Sequence, residues 1–445
     1  MIRATRFDAY RLMHEGTLAL AEVEAAGIRV DEARLTSTIN HVQQEIDKLT
    51  HALMSTNEWK IWCKLYGDKA RLTSRVQLGS VLSAMGFQLP KTETGRLCTD
   101  EDSLRELNTS FVDGFLQLEK LRKLKSTYLV GILREVQDGY VHPCFSLNLV
   151  RSYRSSSDHP NFQNVPIRSK DISKLIRTCF IPRQGRLLVE IDYKALEVHI
   201  SAVYHQDPVF IEYLTDPERD MHRDLAMECF LLDRDNVTKE ARFYAKNCFV
   251  FPQFYGSYWA QCAWNLWNVT QDVKTSCGIS LREHLQSKGI RTYVQFERHI
   301  ESVEHAFWGE RFRVYAKWRR DWYEEYCHNG YFDMLTGFRV EGVYKRNDVI
   351  NYPIQGTAFH CLLWSLIQLL KWLRKNRMQT LIVGQIHDSI LADVVPSELN
   401  DYLAAAKRIM TVDIKEHWKW LNVPLAVEAE ASDKTWFDKQ PIEIA

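Results

Sequence analysis

The sequence holds no CxxC pair among its ten cysteines, no stretch of about 20 apolar residues and no excess of either charge. The scattered cysteines argue against a zinc site or a disulfide scaffold, and for a reducing, cytoplasmic setting. The longest strongly apolar helical run, about Cys361–Leu373, is too short to span a bilayer, and Met1–Arg11 lacks the apolar segment of a signal peptide. With 57 Lys+Arg against 57 Asp+Glu, a uniformly basic nucleic-acid coat is excluded. Internal repeats and low-complexity tracts are also missing. What is there is 445 residues, 45% hydrophobic and 26% charged, the profile of a folded chain of about three domains.

The overall balance hides a local one. From Lys120 to Arg186, thirteen Lys/Arg face four Asp/Glu. Such a segment is either an electrostatic footprint for a polyanion or a solvated face.

Apolar spacing predicts helices over 9–25, stopped by Gly27, and over 32–54 and 103–136. It predicts a strand over 187–191, a helix over 194–205, and a helix over 238–249 broken at Pro252. A long aromatic helix is expected over 304–328, where Trp308, Phe312, Tyr315, Trp322 and Tyr326 recur on one face as core packing. A hairpin around Thr336-Gly337, a helix over 357–375 and a strand over 381–386 complete a mixed α and β pattern.

Two of these strands end in acids, at Asp192-Tyr193 and at His387-Asp388. A carboxylate at the end of an apolar strand is costly unless paired or bound to metal, although each Asp alone also fits a cap or a surface position. Two side by side suit a pair of Mg²⁺ ions about 4 Å apart, serving a phosphoryl transfer. Arg242 and Lys246 stand one helical turn apart, so they share a face and can grip a triphosphate, or form a solvated basic face. Phe249, Phe251, Phe254 and Tyr255 follow at once and offer a nucleobase a flat apolar surface.

In this order and spacing, the three segments resemble motifs A, B and C of family A DNA polymerases, the bacterial DNA polymerase I class. The resemblance extends along nearly the whole chain. Leu18–Asp31 is similar to the segment that opens the polymerase domain. Ser74–Gly79, Thr92-Glu93-Thr94-Gly95 with Thr99-Asp100, and Lys123–Leu129 are similar to the thumb. His159–Pro166 resembles the PNLQNIP signature, and Asn351–Ala358 the NxPIQGTAA signature.

The resemblance implies an α+β right-hand fold with a palm sheet, helical fingers and a helical thumb. Residues 1–31 would pack on the palm, 32–140 would form the thumb, 141–204 and 350–445 the palm, and 205–349 the fingers. It implies that Asp192 and Asp388, with the Tyr193 carbonyl, bind two Mg²⁺ ions that Mn²⁺ can replace. Arg242, Lys246 and His222 would hold the triphosphate, and Lys246 would protonate the departing pyrophosphate. Phe251 and Tyr255 would meet the base, and Glu197 would sit beneath the sugar and exclude a 2′-OH. Arg154, Asn351 and Gln355 would check the minor groove, where correct pairs present similar acceptors. His387 would lie by the primer terminus. Asn161, Gln163, Asn164 and Lys125 fall in the DNA-contacting motifs, and the basic stretch would meet duplex phosphates.

Departures from the family pattern are specific. DYSQIELR reads Asp192–His199 with Lys194-Ala195 in place of Ser-Gln. TGR reads Ser152-Tyr153-Arg154, and motif C ends in Ser389 instead of Glu. Motif B carries one extra residue between Lys246 and Tyr255. Counting forward puts Val250 at the stacking position and counting backward puts Phe251 there; a stacking surface needs a ring, and a helical bulge can absorb the insertion. Met1 lies about twenty residues before the opening motif, so no exonuclease is expected in this chain. The compact length and the altered motif B resemble phage-type members and suggest a viral source.

The expected activity is DNA-templated addition of dNTPs to a primer, by a monomer that uses a separate exonuclease or processivity protein. A single-subunit RNA polymerase is the alternative enzyme, since its motif C can read His-Asp-Ser. A non-catalytic DNA-binding relative of the same fold is the alternative outside catalysis.

Overall fold

The computed structural model describes residues 4–92, 94–166 and 169–444. Met1, Glu93 of the expected thumb motif and Arg168 of the basic stretch lie outside the described residues. The helices used below are α1 (Arg6–Ala26), α2 (Glu32–Met54), α3 (Leu196–His205), α4 (Met221–Phe230), α5 (Lys239–Ala245), α6 (Tyr293–Ala306), α7 (Arg313–Asn329) and α8 (Arg346–Lys375). The central strands are β1 (Leu187–Tyr193), β2 (Leu381–Ile386), β3 (Ser389–Val394), β4 (Val427–Ser432) and β5 (Gln440–Ile442).

The five strands form one antiparallel sheet in the order β5-β4-β1-β3-β2. Because side chains alternate along a strand, β1 feeds two cores. Val189, Ile191 and Tyr193 join a core with α3 and α8, whereas Leu188 joins a second core with α2 and the helix Ser110–Lys123. The sheet is therefore held from both faces, and its acid-bearing strand ends are set by two independent packings.

Local signals account for most helix ends. Thr5 and Asp8 form a reciprocal capping box that starts α1, and Gly27 at φ +62° stops it. Asp31, Asp220 and Thr238 cap α2, α4 and α5 through their side chains.

Several expected elements come out differently. The stretch 103–136 is two helical runs, because Asn108 takes φ +47° and Thr109 caps a new start; the second, Ser110 to Glu135, carries a π turn at Leu124–Leu129. The strand expected over 187–191 runs on to Tyr193, and α3 begins only at Leu196, after a left-handed Ala195. The aromatic helix of 304–328 is instead the end of α6, a wide turn at Phe307–Arg311 and α7, with the break at Phe312. The core role of its stripe holds: Phe312, Tyr315, Trp322 and Tyr326 are buried. The hairpin Tyr331–Glu341 turns at Gly337, where any side chain would collide with the Thr5 carbonyl.

The helix expected from 357 starts eleven residues earlier, as α8, and contains Pro353. Proline cannot donate to the carbonyl four residues back. Here Trp322 does so instead: its Nε1 donates to the Val349 carbonyl at 3.0 Å. Trp322→Phe should therefore cost about 1–3 kcal/mol in urea unfolding. Adding Pro353→Ala, which restores a backbone donor, should recover part of that loss; no recovery would show that the cost is lost ring packing alone.

Candidate active site

β2 and β3 are joined by the two-residue turn His387-Asp388, with His387 at φ +51°. The register sets Asp192 of β1 opposite Ser389, beside Asp388, and the Tyr193 N–H donates to the Asp388 carbonyl at 3.3 Å. Two partly buried carboxylates are thus set side by side. Burial, then Asp388, then Glu190 and Glu428, push the Asp192 carboxyl up to about 7. Burial and then Glu197 push Asp388 up to about 6 against the pull of Arg154. The Asp388 Oδ1 is buried with no hydrogen-bond partner among the described residues. Repelling acids with an orphaned oxygen form a donor set that fits hard divalent cations such as Mg²⁺. Among the described residues, no group of three or more His, Cys, Asp or Glu side chains adds to the pair as a metal cluster.

A cavity of about 350 Å³ opens beside Asp388 and is also lined by Glu197, Lys246, Phe251, Tyr255, Asn351 and Gln355. Seven residues singled out in the sequence thus share one wall. Glu197 is clamped from two sides: Arg154 Nη2 donates to its Oε1 at 2.5 Å, and the Tyr255 hydroxyl donates to its Oε2 at 3.2 Å. Gly356 lets α8 come close here, since a Cβ would lie 2.3 Å from the Ser152 carbonyl.

The helix bulges where the extra motif B residue is expected. After α5, Lys246–Val250 form a π turn in which the Phe251 N–H bonds to the Lys246 carbonyl five residues back. The helix then continues over Phe251–Phe254, so it is not broken at Pro252. Val250 faces the core, and Phe251 faces the cavity, with the Lys246 Nζ 5.0 Å from its ring centre and the His222 ring edge-on at 5.9 Å. His222 is pushed down to about 4 by burial first and then by Arg242 and Lys246, so its ring is neutral near pH 7. Its Nδ1 is buried without a partner among the described residues.

Other expected residues lie elsewhere or are engaged within the protein. Gln163 donates to Ser155 Oγ (2.8 Å) and to Gln385 Oε1 (2.7 Å), and Gln385 in turn donates to the His387 carbonyl at 2.7 Å, so Gln163 braces the turn from inside. Asn161 and Asn164 are exposed and joined in a local turn. Lys125 bonds Gln43 of α2, away from the cavity. The basic stretch is only partly a surface feature. Arg154 bonds Glu197, Arg177 stacks on Trp436 at 3.9 Å, Arg183 pairs with buried Asp393, and Arg186 bonds the Gln379 carbonyl. Lys120, Arg122 and Lys123 line a separate open cleft with Arg75.

Sequence reasoning missed Tyr315 and Ile354 in the cavity wall and the acid Glu190 behind Asp192. Glu190 was legible: two residues before Asp192 on a strand means the same face. It accepts from Ser389 Oγ (2.8 Å) and Trp436 Nε1 (2.8 Å) and pairs with Lys439.

The family model for DNA polymerase family A matches residues 38–438. The chain belongs to DNA polymerase family A. It is 29% identical over 436 residues to DNA polymerase I of Lactococcus lactis subsp. cremoris, covering 94% of this chain and 44% of that protein. It is 30% identical over 429 residues to DNA polymerase I of Geobacillus stearothermophilus, again covering 94% and 44%. The chain thus spans a little under half the length of these relatives. Among solved structures, it is similar to the POL domain of Pol1 from M. smegmatis in complex with DNA primer-template and dNTP, with a TM-score of 0.75 and 25% identity, covering 96% of this chain and 70% of that one. The fold is accordingly the right-hand polymerase fold, with the five-stranded sheet as its palm. No helix among the described residues is long and apolar enough to cross a membrane.

The raised acids carry a stability signature. Between about pH 4 and 7 the folded chain holds protons that the unfolded chain has lost, so stability falls as pH rises through that window. Asp192→Asn should therefore raise the Tm of the metal-free protein at pH 7.5 by about 1–3 °C. At about pH 4.5, where the carboxyl is already protonated, the gain should vanish; an equal gain at both values would point to packing instead.

Proposed function

We propose that this chain is a DNA-directed DNA polymerase that joins a dNTP to a primer 3′-OH with two Mg²⁺ ions, Mn²⁺ being able to substitute. The observation that carries this is the cavity shared by Asp388, Lys246, Phe251, Tyr255, Glu197, Asn351 and Gln355. Its chemistry runs from metal-binding acid through phosphate-binding cation and aromatic ring to polar groups suited to a minor groove. The ligands would be primer-template DNA and dNTPs. The thumb would be 32–140, the palm 141–204 and 350–445, and the fingers 205–349, with 1–31 packed on the palm.

Asp192, Asp388 and the Tyr193 carbonyl would hold the metal ions, which when bound supply positive charge at the attacking and leaving oxygens. Arg242, Lys246 and neutral His222 bind the triphosphate, and Lys246 gives a proton to the departing pyrophosphate. Phe251 carries the incoming base. Glu197, fixed between Arg154 and Tyr255, fills the space that a ribose 2′-OH needs. That fixed carboxylate favours dNTP over NTP and weighs against an RNA polymerase. Arg154, Asn351, Gln355 and His387 would contact the primer end and the new pair, with Asn161 and Asn164 near the duplex. Gln163 would act through its brace on the turn.

Primer extension on a DNA template tests this. Wild type should extend with dNTPs, and Asp192→Asn and Asp388→Asn should each lose on the order of 10³-fold in rate. Extension undiminished in both variants would sink the two-metal assignment. Separately, Glu197→Ala should raise NTP incorporation relative to dNTP by roughly 10–100-fold; an unchanged ratio would remove Glu197 as the sugar gate.

A further inference from the structure

Asp220 serves two helices at once. Its Oδ1 accepts from the backbone N–H groups of His222 (3.0 Å) and Arg223 (3.1 Å), which caps α4. A cap needs only that one oxygen. The other, Oδ2, accepts from Arg242 Nε on α5 at 2.6 Å. The side chain of Arg242 is 43% exposed, and no described residue accepts from its two Nη groups. The guanidinium is therefore held by one edge, with its other edge open. His222 stands two residues past Asp220, with its buried Nδ1 lacking a partner among the described residues.

Resting on the polymerase function proposed above, we infer that Asp220 is a positioning residue for the incoming triphosphate: it holds Arg242 by Nε, so that the Nη edge meets the phosphates, and seats His222 beside it. An arginine at a half-open surface is rich in rotamers, and ordering it on ligand binding weakens the complex. A charge-assisted bond made beforehand removes that cost. An opposing effect exists, because a carboxylate near a polyphosphate repels it. The two effects predict opposite signs when the charge is removed, and the short Nε contact makes preorganisation the larger one.

The test uses Asp220→Asn and Asp220→Ser, which both keep a capping oxygen. The full chain is bound to a primer-template whose primer ends in a dideoxynucleotide. Dissociation constants are then measured for the matching dNTP and for inorganic tripolyphosphate, alongside Tm and primer-template affinity. Both variants should bind both ligands roughly tenfold more weakly, with Tm and DNA affinity unchanged. In an Arg242→Lys background, which has no Nε–Nη fork, the same changes should add little. Unchanged or tighter binding overturns the inference, as does a loss that follows Tm. If wild type binds dNTP in an Asp220-dependent way yet extends no primer, positioning stands and the polymerase function fails. If wild type binds neither ligand, both fail.

Discussion

The centre of this molecule depends on an electrostatic conflict that the backbone imposes. Asp192 lies on β1 and Asp388 in the turn that leads into its neighbour β3, and the β1–β3 register holds the two side by side. Each is largely withdrawn from water, and each is pushed well above an ordinary aspartate value. Left alone, such a pair would loosen the sheet. It is tolerated because β1 packs on two cores, through Val189, Ile191 and Tyr193 on one face and Leu188 on the other. Behind the pair, Glu190 adds a third buried acid, neutralised by Lys439 and hydrogen-bonded by Trp436 and Ser389. Hydrophobic packing here maintains an arrangement of charge that electrostatics alone would disperse.

The helix of Lys246 and Phe251 that lines the cavity resolves a second conflict, one of length. Compared with the family pattern it resembles, the segment from Lys246 to Tyr255 holds one residue too many. An α-helix that took it up without adjustment would rotate every later side chain by about 100°. The π turn at Lys246–Val250 takes up the extra residue and returns the helix to its earlier phase. Lys246 and Phe251 then stay on the cavity side while Val250 enters the core.

Much of this was legible in the sequence, and the failures share a cause. The acids at Asp192 and Asp388 and the Arg242–Lys246 face follow from short-range spacing, which fixes side-chain direction, whereas Phe251 is preferred to Val250 because a flat apolar surface needs a ring. The start of α8 did not follow, because Pro353 argues for a break and the donor that removes the need for one, Trp322, lies 31 positions earlier in the chain. The basic stretch misled for the same reason. Charge counts cannot show that Arg177 lies on Trp436 or that Arg183 meets Asp393. Gln163 was expected in a DNA-contacting motif, yet its amide is spent on Ser155 and on Gln385, a partner distant in sequence. Local chemistry was readable; the identity of remote partners was not.

The sheet order β5-β4-β1-β3-β2 also governs when a working centre can exist. β1 is made early, but both of its neighbours, β3 and β4, come from the last quarter of the described chain. During synthesis the first acid therefore waits, unpaired on both edges, while some two hundred residues are added. Pairings of such long sequence separation form slowly, whereas α2 and Ser110–Lys123 can pack at once. A ribosome-bound fragment would hold a folded helical body and an exposed strand, with Asp192 and Asp388 not yet brought together. The acid pair in this architecture is assembled late and all at once.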